Sequence, residues 1–239
     1  MSAGSLVIVV ESLATFGVFF LLLQFLQEIL RYSAFRAGLG LLPLAVAMII
    51  ISPTAPNFGH RFGLTPVIGL GMALIAAGLA VLSLVDAESG FWPVAVGGAL
   101  IGAGVAYAAT PATDAIVAAL PTAKQGVAFA LNDVTRELGA VLGIALLGSV
   151  FNSRYRADVG NGAPDMPQPM RDATQDSLSG ALAVAERLGG EPGNRLAAGA
   201  RDAFASGMSV ALLTGMVIVL LGAAASLLLL RGGRHRTDT

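Results

Sequence analysis

The sequence predicts an all-α membrane protein with six transmembrane helices, and three observations support this. Of its 239 residues 55% are hydrophobic and only 12% are charged, which is about half the charge of a typical soluble domain. Four stretches without a charged residue are long enough to cross a bilayer, whose core of about 30 Å needs roughly 20 residues of helix. Two further apolar stretches of similar length contain only a few charges.

The six predicted spans follow one another along the chain and are separated by turn-forming residues. The first contains Glu11 and Glu28, the fifth contains Asp133, Arg136 and Glu137, and the other four carry no charge. The predicted spans are residues 5–30, 37–59, 62–85, 89–113, 127–152 and 203–230.

The remaining segments are polar. We expect spans one to five within residues 1–152, a polar loop over residues 153–202, the sixth span within residues 203–231 and a tail over residues 232–239. Leu178, Leu182, Ala185 and Leu188 recur at helical spacing, so the loop is expected to contain an amphipathic helix that lies on the surface. An even number of spans places both termini on one side, but the basic residues divide almost equally between the sides and leave the orientation open.

Composition also excludes several classes of function. The formal net charge is −1, which provides no electrostatic basis for binding nucleic acid. The chain has no cysteine, so disulfides, thiolate metal sites and thiol catalysis are excluded. Neither His60 nor His235 lies near a cluster of acidic residues, which argues against a metal site. No nucleophile–base motif or phosphate-binding loop is present, so we expect neither enzymatic activity nor a cofactor.

Five charged residues within the spans are the main candidates for function. Counted at 1.5 Å per residue, Glu11, Asp114, Asp133, Arg136 and Glu137 lie roughly 9–18 Å from the same side of the membrane. Charged side chains at membrane depth are unfavourable by at least a few kcal/mol each, and they commonly mark a path for ions, protons or substrate. The shared depth therefore predicts one polar region.

Two interpretations of these charges remain open. In the first, Arg136 forms a structural ion pair with Asp133, Glu137 or Asp114 and holds the fourth and fifth helices together. In the second, a carboxylate binds a proton or a cationic solute, and the proton or substrate pathway contains Glu11, Asp133, Glu137 and Asp114. Glu11 is favoured because its own helix offers no basic neighbour, and burial favours the neutral form of a carboxyl.

Glycines at a spacing of four predict where helices pack closely. Gly98 and Gly102 in the fourth span, and Gly139 and Gly143 in the fifth, form GxxxG pairs, which allow the backbones of two membrane helices to approach each other. In a chain with 30 glycines such pairs are also compatible with generic close packing.

Two further polar segments allow a plain structural interpretation. The turn after the second span contains Gly59, Arg61 and Gly63, which is compatible with a tight turn carrying one interfacial cation. Gln24, Gln27 and Glu28, near the end of the first span, are interpreted as a solvated helix end.

Several motifs resemble the C-terminal half of exporters of the major facilitator superfamily. Among these exporters, the sequence is most similar to the fourteen-helix multidrug/proton antiporters of the quaternary-ammonium resistance type. The most specific motif is Asn132-Asp133-Val134-Thr135-Arg136-Glu137-Leu138-Gly139. The other segments that carry the resemblance are residues 2–4, 24–27, 37–43, 108–116, 120–121, 126 and 143–150.

The resemblance implies a fold, an orientation and a mechanism. The six helices would be the final six of fourteen and form one half of a major facilitator fold in the plasma membrane. The termini would be cytoplasmic, and the loop over residues 153–202 would be external. The first and fourth spans would line the cavity. Protons would exchange for drug at a carboxylate, for which Glu11 is the first candidate and Asp133 the second. Arg136 would modulate the pKa of these carboxylates and hold the helices together. The proton gradient would supply the energy for transport, without a cofactor. Residues 59–63 would form a gating loop in which His60 replaces the usual aspartate.

The expected partners are a drug-like small molecule, the lipid membrane, and an N-terminal transporter bundle or a second copy of the chain. This follows from the resemblance, because the family moves one six-helix bundle against another around a central site. The alternative is a non-transporting membrane subunit or a truncated half that assembles with a partner bundle.

Overall fold

Helices account for almost all of the chain that the structure describes, and no strand occurs there. The computed structural model describes residues 3–118, 121, 125–162 and 166–234. His235 and the end of the predicted tail, as well as Ser2 and Leu120 of the resemblance motifs, lie outside the described residues. Six of the described helices are long and apolar enough to cross a membrane, so the prediction of an all-α, six-span membrane protein is confirmed.

The described ranges contain ten α-helices and two short helical turns. The first span continues from an α-helix into a π-helical turn, Phe25–Ile29, and a 3₁₀ turn, Ser52–Thr54, lies within the second. The α-helices are α1 (Ala3–Gln24), α2 (Ala34–Gly40), α3 (Leu42–Ile51), α4 (Ala55–Phe62), α5 (Leu64–Ser83), α6 (Phe91–Ala118), α7 (Gln125–Gly162), α8 (Gln168–Asp176), α9 (Leu178–Leu188) and α10 (Gly190–Arg234).

The second span is interrupted where its prolines lie. It consists of α2, α3 and α4, and Pro43, Pro53 and Pro56 each stand at the start of a new helical segment. Proline has no amide hydrogen and clashes with the preceding turn, so it is tolerated at a helix start but not in a helix interior. The third, fourth and fifth spans are α5, α6 and α7, and the sixth belongs to α10.

The predicted loop over residues 153–202 is largely helical and contains two short helices, α8 and α9. Helix α7 runs to Gly162 instead of ending near residue 152, and α10 begins at Gly190, before residue 203. Aromatic contacts stabilise the extension: the ring of Phe151 packs against Phe204 of α10, with the centroids 4.9 Å apart. The hydroxyl of Tyr155 donates a hydrogen bond to the carbonyl oxygen of Thr174 in α8 (3.1 Å).

The amphipathic helix predicted around Leu178 is α9. Ser177 caps it by accepting a hydrogen bond from the amide of Gly180 (3.0 Å), as expected for an N-cap serine. Leu178 and Ala185 are buried, whereas Leu188 is exposed. The buried face of α9 therefore includes Leu178 and Ala185 but not Leu188, and α9 packs against α10.

The first span lies inside the bundle and packs against the third, fourth, fifth and sixth spans. The second, fifth and sixth spans are the most exposed of the six. We use "terminus side" for the side of the membrane where residue 4 lies, and "loop side" for the side that holds α8 and α9. The first and fifth spans both run from the terminus side to the loop side, so they are parallel.

The third and fourth spans approach each other through four glycines. Gly71 faces Gly104 and Gly78 faces Gly97, and within each helix the two glycines are seven residues apart. A Cβ added to Gly71 would lie 2.6 Å from the carbonyl oxygen of Gly104, and one added to Gly78 would lie 2.7 Å from that of Gly97. The backbones of these antiparallel helices are therefore in direct contact.

The predicted GxxxG glycines differ in their surroundings. A Cβ on Gly139 would lie 2.5 Å from the carbonyl oxygen of Val9, and one on Gly143 would overlap the backbone of Leu13. These two glycines therefore form the crossing of the first and fifth spans. Gly102 similarly meets the backbone of the second span at Leu44, whereas the nearest atom to a Cβ on Gly98 would be 3.7 Å away, an ordinary contact.

We expect Gly143→Ala to destabilise the bundle. The added methyl meets the backbone carbonyl of Leu13, which cannot move without displacing the first span, and overpacking of this kind lowers the free energy of unfolding by about 1–3 kcal/mol. Thermal unfolding in detergent measures the loss. Gly126→Ala is the matched control because nothing lies within 4 Å of its Cβ position. Equal stability of the two variants would contradict the close crossing.

Candidate functional site

An ion pair between two spans is the centre of the candidate site. Glu11 is buried in the first span, with 1% of its side chain exposed, and its Oε1 lies 3.5 Å from Nη1 of Arg136 in the fifth span. The hydroxyl of Ser12 donates a hydrogen bond to the same oxygen (3.2 Å). The Arg136 side chain is 38% exposed. A carboxylate buried among apolar helices requires such partners, because an unpaired charge is strongly unfavourable there.

This pairing corrects one prediction about Arg136. We expected its partner to be Asp133, Glu137 or Asp114, but the ion pair in the described part of the chain is with Glu11. The physical reason is the crossing at Gly139 and Gly143, which brings the first span against the fifth. A long arginine side chain therefore reaches a carboxylate on the neighbouring helix.

The fifth span buries one narrow stripe of side chains. Its members recur every three or four residues and include Asn132, Thr135 and Leu147. Asp133 and Glu137 lie off this stripe and are exposed on the surface of the bundle. The structure thus separates these two carboxylates from the buried Glu11, although all three lie within the same half of their helices.

Asp114 shares a cavity with Arg136. The cavity has a volume of about 450 Å³ and lies between the second, fourth and fifth spans. Polar side chains line it or lie beside it: Ser52 and Thr110 are joined by a hydrogen bond of 3.3 Å, and the hydroxyl of Thr113 donates to the amide oxygen of Asn132 (3.4 Å). We call it the Asp114 cavity.

The predicted gating turn lies at the terminus side of the same region. Gly63, with φ 87°, alone separates α4 from α5, and this backbone conformation favours glycine. The guanidinium of Arg61 lies over the ring of Phe62, 5.3 Å from its centroid. Gly59 and His60 line a smaller cavity of about 330 Å³, and Asp114 lines it as well. Asp114 therefore lines both the smaller cavity at the gating turn and the Asp114 cavity.

The structure joins Glu11, Arg136, Asp114 and His60 into one continuous region, and sequence spacing does not predict this. Glu11 and Arg136 are far apart in the chain, and the shared depth of the charges is the only sequence signal that relates them. Within the described residues, no three histidine, aspartate or glutamate side chains come together as a metal site would require.

We expect Arg136→Gln to destabilise the protein. The change leaves the buried Glu11 carboxylate without its cation, which lowers the free energy of unfolding by about 1–3 kcal/mol, less than for a fully buried pair because Arg136 is partly exposed. Thermal unfolding in detergent measures the loss.

The control for this prediction is Arg195→Gln. Arg195 forms an exposed ion pair with Glu191 on one helix (3.1 Å), and such pairs contribute only about 0.3–0.5 kcal/mol. In the double variant Glu11→Gln with Arg136→Gln no carboxylate is left unpaired, so it should recover part of the stability. An Arg136→Gln variant no less stable than the control would refute the structural importance of the pair.

The chain matches a known protein family and is similar to several known proteins. Residues 4–157 match the model of the Major Facilitator Superfamily. The chain is 33% identical over 208 residues to the multidrug efflux pump LfrA of Mycolicibacterium smegmatis, which covers 87% of the chain and 41% of that protein. It is 31% identical over 237 residues to the tetracenomycin C resistance and export protein of Streptomyces glaucescens, covering 95% of the chain and 43% of that protein.

A third similar protein is the methyl viologen resistance protein SmvA of Salmonella typhimurium. The identity is 33% over 205 residues, which make up 86% of the chain and 41% of that protein. The chain thus spans about two-fifths of the length of these curated relatives. The matched residues include the whole candidate region from Glu11 to Glu137.

Proposed function

Because the chain belongs to the major facilitator superfamily, we propose that it forms the C-terminal six-helix portion of a proton-coupled multidrug exporter. Its relatives carry the names of efflux, export and resistance proteins, so the chain belongs to a transporter and not to an enzyme. The proposed substrates are lipophilic or cationic small molecules. The fourteen-helix subgroup is part of the proposal and rests on the motif from Asn132 to Gly139.

The observation that carries the proposal is the ion pair between the buried Glu11 and the partly exposed Arg136, beside the Asp114 cavity. A carboxylate at membrane depth whose cationic partner lines a neighbouring cavity can exchange a proton with a change of conformation. Protonation of Glu11 would neutralise it and release Arg136, whose guanidinium already lines the cavity that contains Asp114. Binding of a proton and the position of Arg136 are therefore linked, and the proton gradient would supply the energy.

The proposed orientation has the termini in the cytoplasm and α8 and α9 outside, in a multi-pass protein of the plasma membrane. The resemblance of the motifs supports this direction, and the basic residues Arg231, Arg234 and Arg236 near the C-terminus agree with the preference of cytoplasmic segments for positive charge. Glu11, Asp114 and Arg136 would then lie in the cytoplasmic half of the membrane.

The exposed carboxylates of the fifth span support the proposal that a partner bundle covers this surface. Asp133 and Glu137 lie on the surface of the fifth span, among exposed apolar side chains such as Val134 and Leu138. If these side chains faced lipid, each charge would raise the free energy of membrane insertion by about 2.5–3.5 kcal/mol. We propose that an N-terminal transporter bundle covers this surface and completes the substrate pathway. A second copy of the chain would cover it in the alternative arrangement, which includes a non-transporting membrane subunit.

Transport in everted membrane vesicles tests the proposal. The chain is expressed in cells that lack their own exporters, alone and together with the polypeptide encoded directly upstream. A proton gradient should drive accumulation of a fluorescent lipophilic cation, and an uncoupler should abolish it. Absence of uncoupler-sensitive transport in both preparations would refute the exporter.

The mass of the complex in mild detergent identifies the partner. A complex of the chain with a second bundle supports the proposed arrangement, and a complex of two identical chains supports the second copy. A stable complex with a different membrane protein, without any transport, would favour the non-transporting subunit.

A further inference from the structure

A second cavity lies on the loop side of the bundle, away from Glu11. Its volume is about 560 Å³, and its walls come from the first, fifth and sixth spans and from the junction of α8 and α9. Glu28 and Glu11 are 17 residues apart along the first span, which corresponds to roughly 25 Å of helix. We call this space the Glu28 cavity. It is distinct from the Asp114 cavity, which lies in the other half of the bundle.

The walls of the Glu28 cavity combine negative charge with aromatic rings. Glu28 and Asp176 supply two carboxylates, and no lysine, arginine or histidine lines the cavity. The rings come from Phe20, Phe151, Tyr155 and Phe204. Arg156 lies outside and pairs with Asp176 (3.1 Å), which leaves the carboxylate of Glu28 without a compensating ion pair in the described part of the chain.

The local backbone around Glu28 is irregular. The first span changes from an α-helix to a π-helical turn at Phe25–Ile29, and the amide of Leu30 bonds to the carbonyl oxygen of Phe25, five residues earlier (3.2 Å). Short π-helical segments are rare and occur frequently at functional sites. We interpreted Gln24 and Glu28 as a solvated helix end from the sequence. The structure places both, partly exposed, in the wall of the open Glu28 cavity.

We infer that the Glu28 cavity binds lipophilic organic cations. Its volume falls within the range of about 300–1,000 Å³ that is usual for sites of small organic molecules. Carboxylates attract the positive charge, and aromatic faces stabilise it further by cation–π contacts. This inference rests on the proposed function, which it extends: the cavity is a separate site for the exported compound at the loop side, where it leaves the protein.

Equilibrium binding of tetraphenylphosphonium to the full chain in detergent tests the inference. Glu28→Gln should weaken binding about tenfold, which corresponds to about 1.4 kcal/mol, and Phe20→Leu should weaken it about threefold through the lost cation–π contact. Triphenylphosphine oxide, an uncharged aromatic probe, should bind equally to wild type and Glu28→Gln. Circular dichroism confirms that each variant is folded.

The matched control is Glu88→Gln. Glu88 is an exposed acid in the connection between the third and fourth spans, on the same side of the membrane, and it does not line the Glu28 cavity. Its replacement should leave binding unchanged. If Glu28→Gln and Glu88→Gln bind tetraphenylphosphonium alike, the inference is overturned.

The absence of native cysteine allows the ligand to be located directly. Ser179→Cys places a single thiol in the wall of the Glu28 cavity, and Ser89→Cys places one outside it on the same side. Tetraphenylphosphonium should slow maleimide labelling of the first variant by at least threefold and leave the second unaffected. Equal labelling rates with and without the cation at both positions would overturn the assignment.

The outcomes separate this inference from the proposed function. Proton-driven efflux with wild-type binding in Glu28→Gln would support the exporter and overturn the Glu28 cavity as its second site. Loss of binding in Glu28→Gln without any proton-driven transport by the wild-type chain, with or without its upstream neighbour, would support the cavity and refute the exporter.

Discussion

Glu11→Gln is expected to abolish proton-coupled efflux while leaving the protein folded. Glutamine has the same shape as glutamate, and its amide oxygen can still accept the hydrogen bond that Ser12 donates to the carboxylate in the wild type. It cannot bind and release a proton. Accumulation of a fluorescent cation in everted vesicles, driven by an imposed proton gradient, should fall to the level of vesicles without the protein.

Two comparisons make this result specific. Glu88→Gln, a change of an exposed acid on the loop side, should transport like the wild type. Asp133→Asn, the second candidate from the sequence, alters an exposed carboxylate and should reduce efflux less than Glu11→Gln. Wild-type efflux in Glu11→Gln, or a complete loss confined to Asp133→Asn, would reject Glu11 as the proton-binding group.

Gly71→Leu is expected to prevent stable folding of the bundle. A Cβ at Gly71 would lie 2.5 Å from the amide nitrogen of Ala108 and 2.6 Å from the carbonyl oxygen of Gly104. Neither backbone atom can move unless the third and fourth spans separate. Overpacking commonly lowers the free energy of unfolding by about 1–3 kcal/mol, and a leucine against backbone should exceed that range. Total stability is typically only about 5–15 kcal/mol.

The control for this prediction is Gly69→Leu, which changes another glycine of the same helix, α5. A Cβ at Gly69 would be no closer than 3.6 Å to another group, the flexible end of the Leu227 side chain. Gly69→Leu should therefore retain most of the wild-type thermal stability in detergent and the wild-type yield of monodisperse protein. If Gly71→Leu matches Gly69→Leu in both measurements, the backbone contact between the third and fourth spans is not required for folding.

The spans were predictable because each depends on composition along one continuous segment. Twenty or so apolar residues have one low-energy conformation in a bilayer, a helix that satisfies its own backbone hydrogen bonds. The ends were less predictable. Helix α7 extends past residue 152 because Phe151 and Tyr155 find partners in α10 and α8, and these partners are more than 15 residues away in sequence.

The glycine contacts show the same limit. Spacing of four indicated Gly139 and Gly143, which lie at a crossing of two helices. It did not indicate Gly71 and Gly104, because their signal is a spacing of seven within each of two antiparallel helices. Such a repeat acquires meaning only when the two helices are known to be neighbours.

By itself, the sequence determined that this protein is a six-helix membrane bundle with a few charges at one depth, since hydropathy and helical rise act along a single chain segment. Only the tertiary structure decided that Arg136 pairs with Glu11, that Asp133 and Glu137 remain on the surface, and that Glu28 lines a cavity. Each of these depends on which helices touch. That choice is made by close packing between distant segments, where a single methyl group decides how near two backbones can come.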